Sequence, residues 1–407
     1  MKVLIIHQHF RDPRRGGAIR SYYLAKALVE NGVETVVITA HNEPGYRKEC
    51  LEGVAVHYLA VPYDNRFGFV KRILSFLKFA YQSFRLAGSH QDAGLCYTIS
   101  TPLTTGLAAM MVRRRYKIPY IFEVGDLWPD APVEMGFIRN PLLKRLLFRL
   151  EKAVYNKSLS LVALSPAIRD SIGKKVPEKI IHVLPNMADT DFFQPAKKDP
   201  ERERKYGVEG KFVVAYTGAV GVANGLFYFL DCAAASQRQG LNVHFLLCGD
   251  GAMLQKLIDY AKQLKLDNLT FIPFQNRAGV REVMQVADAN FICYERFRIL
   301  ETGSPNKYFD GLAAGKLTVI NFGGWIREEV EHESCGVYTD PKHPEDFVAK
   351  IKPFIEDKQL LKNYQSNGRR LAETKYSRSM LCGRYQDIVK SAAHQIFSRS
   401  RQRGVSV

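Results

Sequence analysis

The chain has 407 residues, and single hydrophobic cores stop growing at roughly 250–300 residues, so two domains are expected. Its 46% hydrophobic and 24% charged residues exclude a disordered or fibrous chain. The net charge is +17, and residues 1–190 hold 27 Lys/Arg against 16 Asp/Glu, so the excess sits mainly in the first half and points to an anionic partner.

The chain opens on an apolar run, Val3–Ile6, that has the look of a buried strand. The opening segment has no cleavage-like site, and no stretch of about 18 apolar residues follows. The expectation is a soluble cytoplasmic chain with no export signal and no spanning helix. After the first strand come Arg14, Arg15, Gly16, Gly17 and Arg20, then a predicted helix over 18–30. Paired glycines before a helix let backbone amides approach an anion, although an ordinary strand-to-helix turn has the same composition. The spacing is not GxGxxG, which disfavours a nicotinamide cofactor. A second strand is predicted over 34–39.

Residues 66–85 carry Val70, Ile73, Leu74, Leu77, Tyr81 and Phe84 at helical spacing, with Arg66, Lys71, Arg72, Lys78 and Arg85 beside them. A basic amphipathic helix of this kind suits an anionic bilayer surface, or else packs on a sheet with a solvated edge. Further strands are predicted at 120–122 and 159–163. A polar join follows between about 185 and 206, with no apolar periodicity.

The second half repeats the alternation. Strands are predicted at 212–216, 243–247, 269–272, 291–292 and 317–320, with helices at 225–235 and 254–264 between them. The fold class is therefore α/β, with two Rossmann-like domains of parallel strands. Seven cysteines occur without a CxxC pair, which argues against a disulfide framework or a zinc ribbon. Gly218, Gly221, Asn224 and Gly225 form a second strand–glycine–helix unit. Two such loops would face one another across an interdomain cleft.

The segment from Glu301 to Lys316 holds Thr302, Ser304, Pro305, Lys307 and Asp310. Lys307 and Asp310 share a helix face, as a surface ion pair or as a diphosphate and ribose site.

Several stretches together resemble the retaining family-four glycosyltransferases along nearly the whole chain. They are Gly16-Gly17 after the first strand, Leu184-Pro-Asn186 with Asp189-Thr-Asp-Phe192, Tyr216-Thr-Gly218, Cys248-Gly-Asp-Gly251 and Asp310-Gly-Leu-Ala-Ala-Gly315. Glu123-Val-Gly-Asp126-Leu-Trp128-Pro129-Asp130 and Ser304-Pro-Asn-Lys307 resemble a narrower subgroup, the N-acetyl-fucosamine and colanic-acid transferases of bacterial surface polysaccharide. The resemblance implies the GT-B fold: an acceptor domain over 1–190, a donor domain over 205–382, and a last helix of about 383–398 returning to the first domain. It implies a nucleotide-sugar donor, with UDP favoured by the subgroup, and neither metal nor other cofactor. Gly16, Gly17, Gly218, Asn224, Phe274, Glu301, Thr302, Lys307 and Asp310 fall at donor-binding positions. Asp126 and Lys307 are the catalytic candidates, Asp126 being otherwise a helix N-cap. Arg20, Arg66, Lys71, Arg72 and Lys78 are the candidates for a lipid-linked or saccharide acceptor or the membrane.

The chain departs from the family pattern in three places. Thr302 stands where the first acidic residue of the E-x7-E motif is expected, with Glu301 one position off. Asn224-Gly225 replaces a basic pair, leaving Lys307 to meet the diphosphate. Gly125 stands where a histidine often precedes Asp126. A non-hydrolysing nucleotide-sugar epimerase and a two-lobed binding protein share the architecture, but fit the motifs and the expected lack of an export signal less well. Nucleic-acid binding has no recognisable module behind it.

Overall fold

The computed structural model describes residues 1–13, 19–64 and 67–402. Gly16, Gly17 and Arg66, with Arg14 and Arg15, lie outside the described residues.

Two sheets carry the fold. The first is built from β1 (Lys2–Ile6), β2 (Glu34–His41), β3 (Arg47–Leu51), β4 (Val54–Ala60), β5 (Leu95–Ile99), β6 (Tyr120–Val124), β7 (Leu161–Ala163) and β8 (Ile181–Val183). Its strand order is β3-β4-β2-β1-β5-β6-β7-β8, parallel except for β3. The second is built from β9 (Phe212–Thr217), β10 (Val243–Cys248), β11 (Leu269–Ile272), β12 (Ala289–Ile292), β13 (Leu317–Ile320) and β14 (Gly336–Tyr338), in the order β11-β10-β9-β12-β13-β14 and wholly parallel. The apolar runs form the inner strands because helices cover both faces, so successive side chains are buried in both directions. β5, β6, β9 and β10 are buried at every residue. The one antiparallel strand, β3, is polar and half-exposed, as an edge strand tolerates.

In each sheet the order turns outward from a central strand, β1 in the first and β9 in the second. Ligand sites in open α/β sheets gather beyond the carboxyl ends of strands at such points. Residues 298–304 of the second half are held from the first half. Ser165 Oγ donates to the Thr302 carbonyl at 2.6 Å, the Ile299 amide to Glu134 Oε1 at 3.1 Å, and the Asn186 amide to Ser304 Oγ at 3.2 Å.

The join is not irregular throughout. Pro200–Tyr206 is a short helix, started by Asp199, whose side chain accepts from the Glu201 amide, and closed by Gly207 at φ +67°. Proline at the first helical position, acids in the first turn and bases in the last favour a helix without any apolar face. The last helix, Arg378–Gln402, returns to the first half. Gln386 Nε2 donates to the Ala27 carbonyl at 2.8 Å, and the Tyr385 ring meets Tyr97 edge-on at 4.9 Å.

Candidate functional site

Lys307 stands in the first turn of the helix Asn306–Ala313, so its ammonium lies beside the positive end of the helix. Its Nζ donates to the Tyr216 hydroxyl at 2.7 Å and rides 4.1 Å above the Tyr216 ring. Tyr216 lies at the end of β9, immediately before Thr217-Gly218. A Cβ on Gly218 would stand 3.4 Å from Lys307 Nζ, so the glycine loop and the lysine occupy one locus. Desolvation lowers the Lys307 pKa to about 8. Among the described residues the lysine has no carboxylate partner, so it is a desolvated cation without a fixed counter-charge.

The Gly218 loop is clamped by its neighbour. A Cβ on Gly249 would fall 1.9 Å from the Gly218 carbonyl oxygen, and one on Gly251 would fall 2.3 Å from that of Val220. The Gly218 amide donates to the Cys248 carbonyl at 2.9 Å, and the Val220 amide to that of Asp250 at 2.9 Å. The Cys248-Gly-Asp-Gly251 run is therefore a packing requirement that fixes the loop against β10. Asn224 works inside the loop: its Oδ1 accepts from the Gly221 amide at 3.1 Å.

Asp310, one turn beyond Lys307, does not pair with it. Its carboxyl lies near Arg277 and Asp189, and burial raises its pKa to about 7, with Arg277 pulling down and Asp189 pushing up. Arg277 is committed elsewhere, to Asp189 Oδ2 at 2.5 Å and to the face of Phe192. Asp189 also takes Arg378 at 2.7 Å and the Tyr23 hydroxyl at 3.2 Å. This cluster joins the second sheet, the last helix and the first helix at the point where the chain crosses between halves.

Asp126 follows β6 and opens to the cleft. It caps no helix, since the next one, Asp130–Glu134, starts after Pro129. Its Oδ2 accepts from Thr101 Oγ1 at 3.2 Å, and surrounding protein raises its pKa while that bond opposes the rise. Tyr294, from the end of β12 in the other half, feels the Asp126 carboxylate: burial foremost, then Asp126, pushes its phenol up. Lys307 and Gly218 therefore lie on the second-half side of the cleft, and Asp126 on the first-half side.

Gly125 is filled in by its surroundings. Its amide donates to Ser100 Oγ at 3.0 Å, and a Cβ there would stand 3.2 Å from the Ser100 carbonyl oxygen. Histidines occur instead after β1. His7 Nδ1 bonds Ser21 Oγ at 2.8 Å, and burial holds His7 down to about 3 and His9 down to about 4, so both rings are neutral. The His-Gln-His run directly after a strand was the available signal for them.

Other expected site residues fall differently. Arg20 is no acceptor or membrane ligand: its side chain is buried, 7% exposed, and grips Glu123 with Nε at 3.1 Å and a terminal nitrogen at 3.0 Å. Thr302 turns its hydroxyl to the Ile299 carbonyl at 2.7 Å. Glu301 covers Gly323-Gly324, with its Oε2 3.3 Å from where a Gly323 Cβ would stand, so it lies at the start of the helix Trp325–His332. Phe274 projects into solvent at 63% exposure beyond β11. Lys71 and Lys78 are exposed on the helix Phe69–Ala87, and Arg72 Nε donates to the Phe67 carbonyl at 2.9 Å. The helix also presents Val70, Leu74, Leu77 and Tyr81 outward. Among the described residues no helix is long and apolar enough to cross a membrane.

A glycosyl transferase 4-like domain matches residues 15–187, and a glycosyl transferases group 1 domain matches residues 198–371. The chain is 23% identical over 252 residues to the alpha-D-kanosaminyltransferase of Streptomyces kanamyceticus, covering 58% of this chain and 63% of that protein. In structure it is similar to sucrose-phosphate synthase from Thermosynechococcus elongatus, with a TM-score of 0.77 and 15% identity over 98% of this chain and 100% of that one. It is also similar to Anabaena HepE in complex with UDP-glucose, with a TM-score of 0.72 and 16% identity over 96% of this chain and 100% of that one. The two domain matches flank the join, one on each side of the cleft that holds Asp126, Gly218 and Lys307, and the chain carries these two glycosyl transferase domains in the two-domain GT-B fold.

Proposed function

We propose that the chain moves a sugar with retention from a UDP-linked donor to a lipid-linked or saccharide acceptor in surface polysaccharide assembly. The observation that carries this reading is the Lys307 ammonium, without a carboxylate partner among the described residues, between the Gly218 loop and a helix N-terminus. In this reading the diphosphate sits against Lys307 and the first-turn amides, while Asp310 accepts the two ribose hydroxyls. The uridine preference draws on the subgroup resemblance and on the UDP-glucose held by HepE.

The bond from the anomeric carbon to the diphosphate oxygen breaks, and its electron pair leaves with the diphosphate. Charge developing on that oxygen is met by groups already in place, which is the largest single source of stabilisation in such transfers. The acceptor oxygen bonds the anomeric carbon on the face the diphosphate leaves, and Asp126 takes its proton. No metal or other cofactor is assigned a step; the nucleotide sugar is a substrate. Thermal-shift screening with UDP-, GDP- and dTDP-sugars should give the largest rise for a UDP-sugar, followed by release of UDP when acceptor is added. Absence of nucleoside diphosphate release from all three classes would refute the transferase reading.

The same proposal places the first domain at the cytoplasmic face of an anionic membrane. Val70, Leu74, Leu77 and Tyr81 recur at helical spacing on the exposed side of one helix, between Lys71, Lys78 and Arg85. Apolar contact and charge then act on one surface. Flotation with phosphatidylglycerol vesicles should carry the protein upward at low salt, and L74E/L77E should stay at the bottom. Equal flotation of both would count against this helix.

A further inference from the structure

Tyr294 follows β12, the strand beside β9, and so stands at the carboxyl end of the second sheet. Its main chain is fixed from three directions. Asn321, 3% exposed and just past β13, accepts from the Tyr294 amide with Oδ1 at 2.9 Å and donates to the Tyr294 carbonyl with Nδ2 at 3.0 Å. The next amide, that of Glu295, donates to the Ala223 carbonyl at 3.0 Å. Gly225 presses on the same peptide: a Cβ there would stand 2.7 Å from the Tyr294 carbonyl carbon, and its φ of +57° suits glycine. The ring is held as well, 4.7 Å from that of Phe322.

The hydroxyl is the exception. The side chain is half-buried, and its hydroxyl, 3.8 Å from where a Gly303 Cβ would stand, has no hydrogen-bond partner among the described residues. Tyrosines on neighbouring elements spend theirs on protein, Tyr216 on the Ala219 carbonyl at 2.6 Å and Tyr308 on Glu329 at 2.8 Å, as a covered phenol normally does. Asp126 of the first domain acts on Tyr294, and Tyr294 acts on Tyr216, whose hydroxyl takes Lys307. The phenol therefore lies between the lysine assigned to the diphosphate and the carboxylate assigned to the acceptor proton. Burial foremost, then Asp126, pushes its pKa up, so it is a neutral O–H donor, neither a base nor a nucleophile. Nearby polar side chains face elsewhere: Thr302 toward the Ile299 carbonyl, and Asn321 toward the Tyr294 backbone.

We propose that Tyr294 is the residue that reads the transferred sugar: its hydroxyl donates a hydrogen bond to an oxygen substituent of the donor pyranose. That bond sets which sugars the site prefers and holds the anomeric carbon between Lys307 and Asp126. A donor whose backbone and ring are already fixed loses little order on binding, so the contact is available in full when the bond to the diphosphate breaks. This rests on the transferase reading above, and it goes further by naming a side chain that meets the sugar and not the nucleotide.

The test compares wild type with Tyr294→Phe, which keeps the ring against Phe322 and removes only the hydroxyl. Calorimetry gives Kd for UDP-glucose, UDP-galactose, UDP-N-acetylglucosamine, UDP-N-acetylgalactosamine, GDP-mannose and dTDP-glucose, and for UDP, GDP and dTDP alone. Tyr294→Phe should weaken the preferred nucleotide sugar about tenfold, the net effect of one neutral hydrogen bond. Less preferred sugars should lose less, so the preference narrows, and the Kd of the free nucleoside diphosphate should be unchanged. An unchanged Kd for the preferred nucleotide sugar overturns the proposal. An equal loss for the nucleoside diphosphate alone also overturns it, because the hydroxyl would then serve the nucleotide. Wild type that binds nucleotide sugars but releases no nucleoside diphosphate from any of them overturns the transferase reading, while the Kd comparison still decides Tyr294. Wild type that binds none of the nucleotide sugars overturns both.

Discussion

Replacing Lys307 by alanine should lower kcat/KM for the nucleotide-sugar donor by about 10²–10³-fold, the range for removing one preorganised group from developing oxyanion charge. The ammonium is poised at a cost. Desolvation brings its pKa to about 8, so the free protein begins to lose this cation just above neutral pH. Asp310 is displaced the other way, to about 7, and must be ionised to accept both ribose hydroxyls. The free enzyme is therefore competent only where Asp310 has lost its proton and Lys307 has kept one. The log kcat/KM profile of wild type should fall below about pH 7 and above about pH 8, a narrow bell. Lys307→Ala should remove the alkaline limb and keep the acid one. The bound diphosphate favours the charged lysine, so the alkaline limb of kcat should lie above that of kcat/KM. Lys307→Arg keeps a cation but exchanges the compact ammonium that fits over the Tyr216 ring, so partial activity is expected. Unaltered kcat/KM in Lys307→Ala would end its assignment to the diphosphate.

That Lys307 and Asp310 share a helix face was legible because helix spacing is local: three residues apart places them on one face whatever the rest does. Their environments were not. The Tyr216 hydroxyl that meets Lys307 is 91 positions away, and the Arg277–Asp189 pair beside Asp310 spans the join. Most strands were legible because burial on both faces makes uninterrupted apolar runs. β3, β4, β5, β8 and β14 went unread; of these, β3 lacks that mark because it is a polar edge strand. Arg20 misled for a physical reason. An arginine just after a glycine loop at a helix start has the local chemistry of an anion ligand, and only Glu123, 103 positions on, neutralises it. Asp126 went the opposite way: local sequence allowed a helix cap, and the fold leaves it open to the cleft.

Glu123→Ala should be the most destabilising single change near the cleft. Glu123 is 1% exposed and its carboxylate receives Arg20 twice, as well as the Tyr97 hydroxyl. Removing the carboxylate strands a buried guanidinium, which costs about 3–5 kcal/mol and should lower Tm by roughly 10 °C. The pair itself is replaceable in stability: Arg20→Met with Glu123→Leu should recover most of the loss, because apolar side chains of similar volume avoid the desolvation cost. Function should not return with it. Arg20 also donates to the Pro185 carbonyl at 2.5 Å and to the Leu184 carbonyl at 3.0 Å, and the next residue, Asn186, donates to Ser304 at the start of the Lys307 helix. The ion pair thus fixes the chain where it leaves the first domain, and that chain fixes the helix carrying Lys307 and Asp310. The double variant should melt near wild type yet show a raised donor KM, separating the pair's part in stability from its part in positioning. Calorimetry and donor kinetics on the same samples decide it: wild-type stability in Glu123→Ala alone, or a wild-type donor KM in the double variant, would show that the buried pair does not hold the donor helix in place.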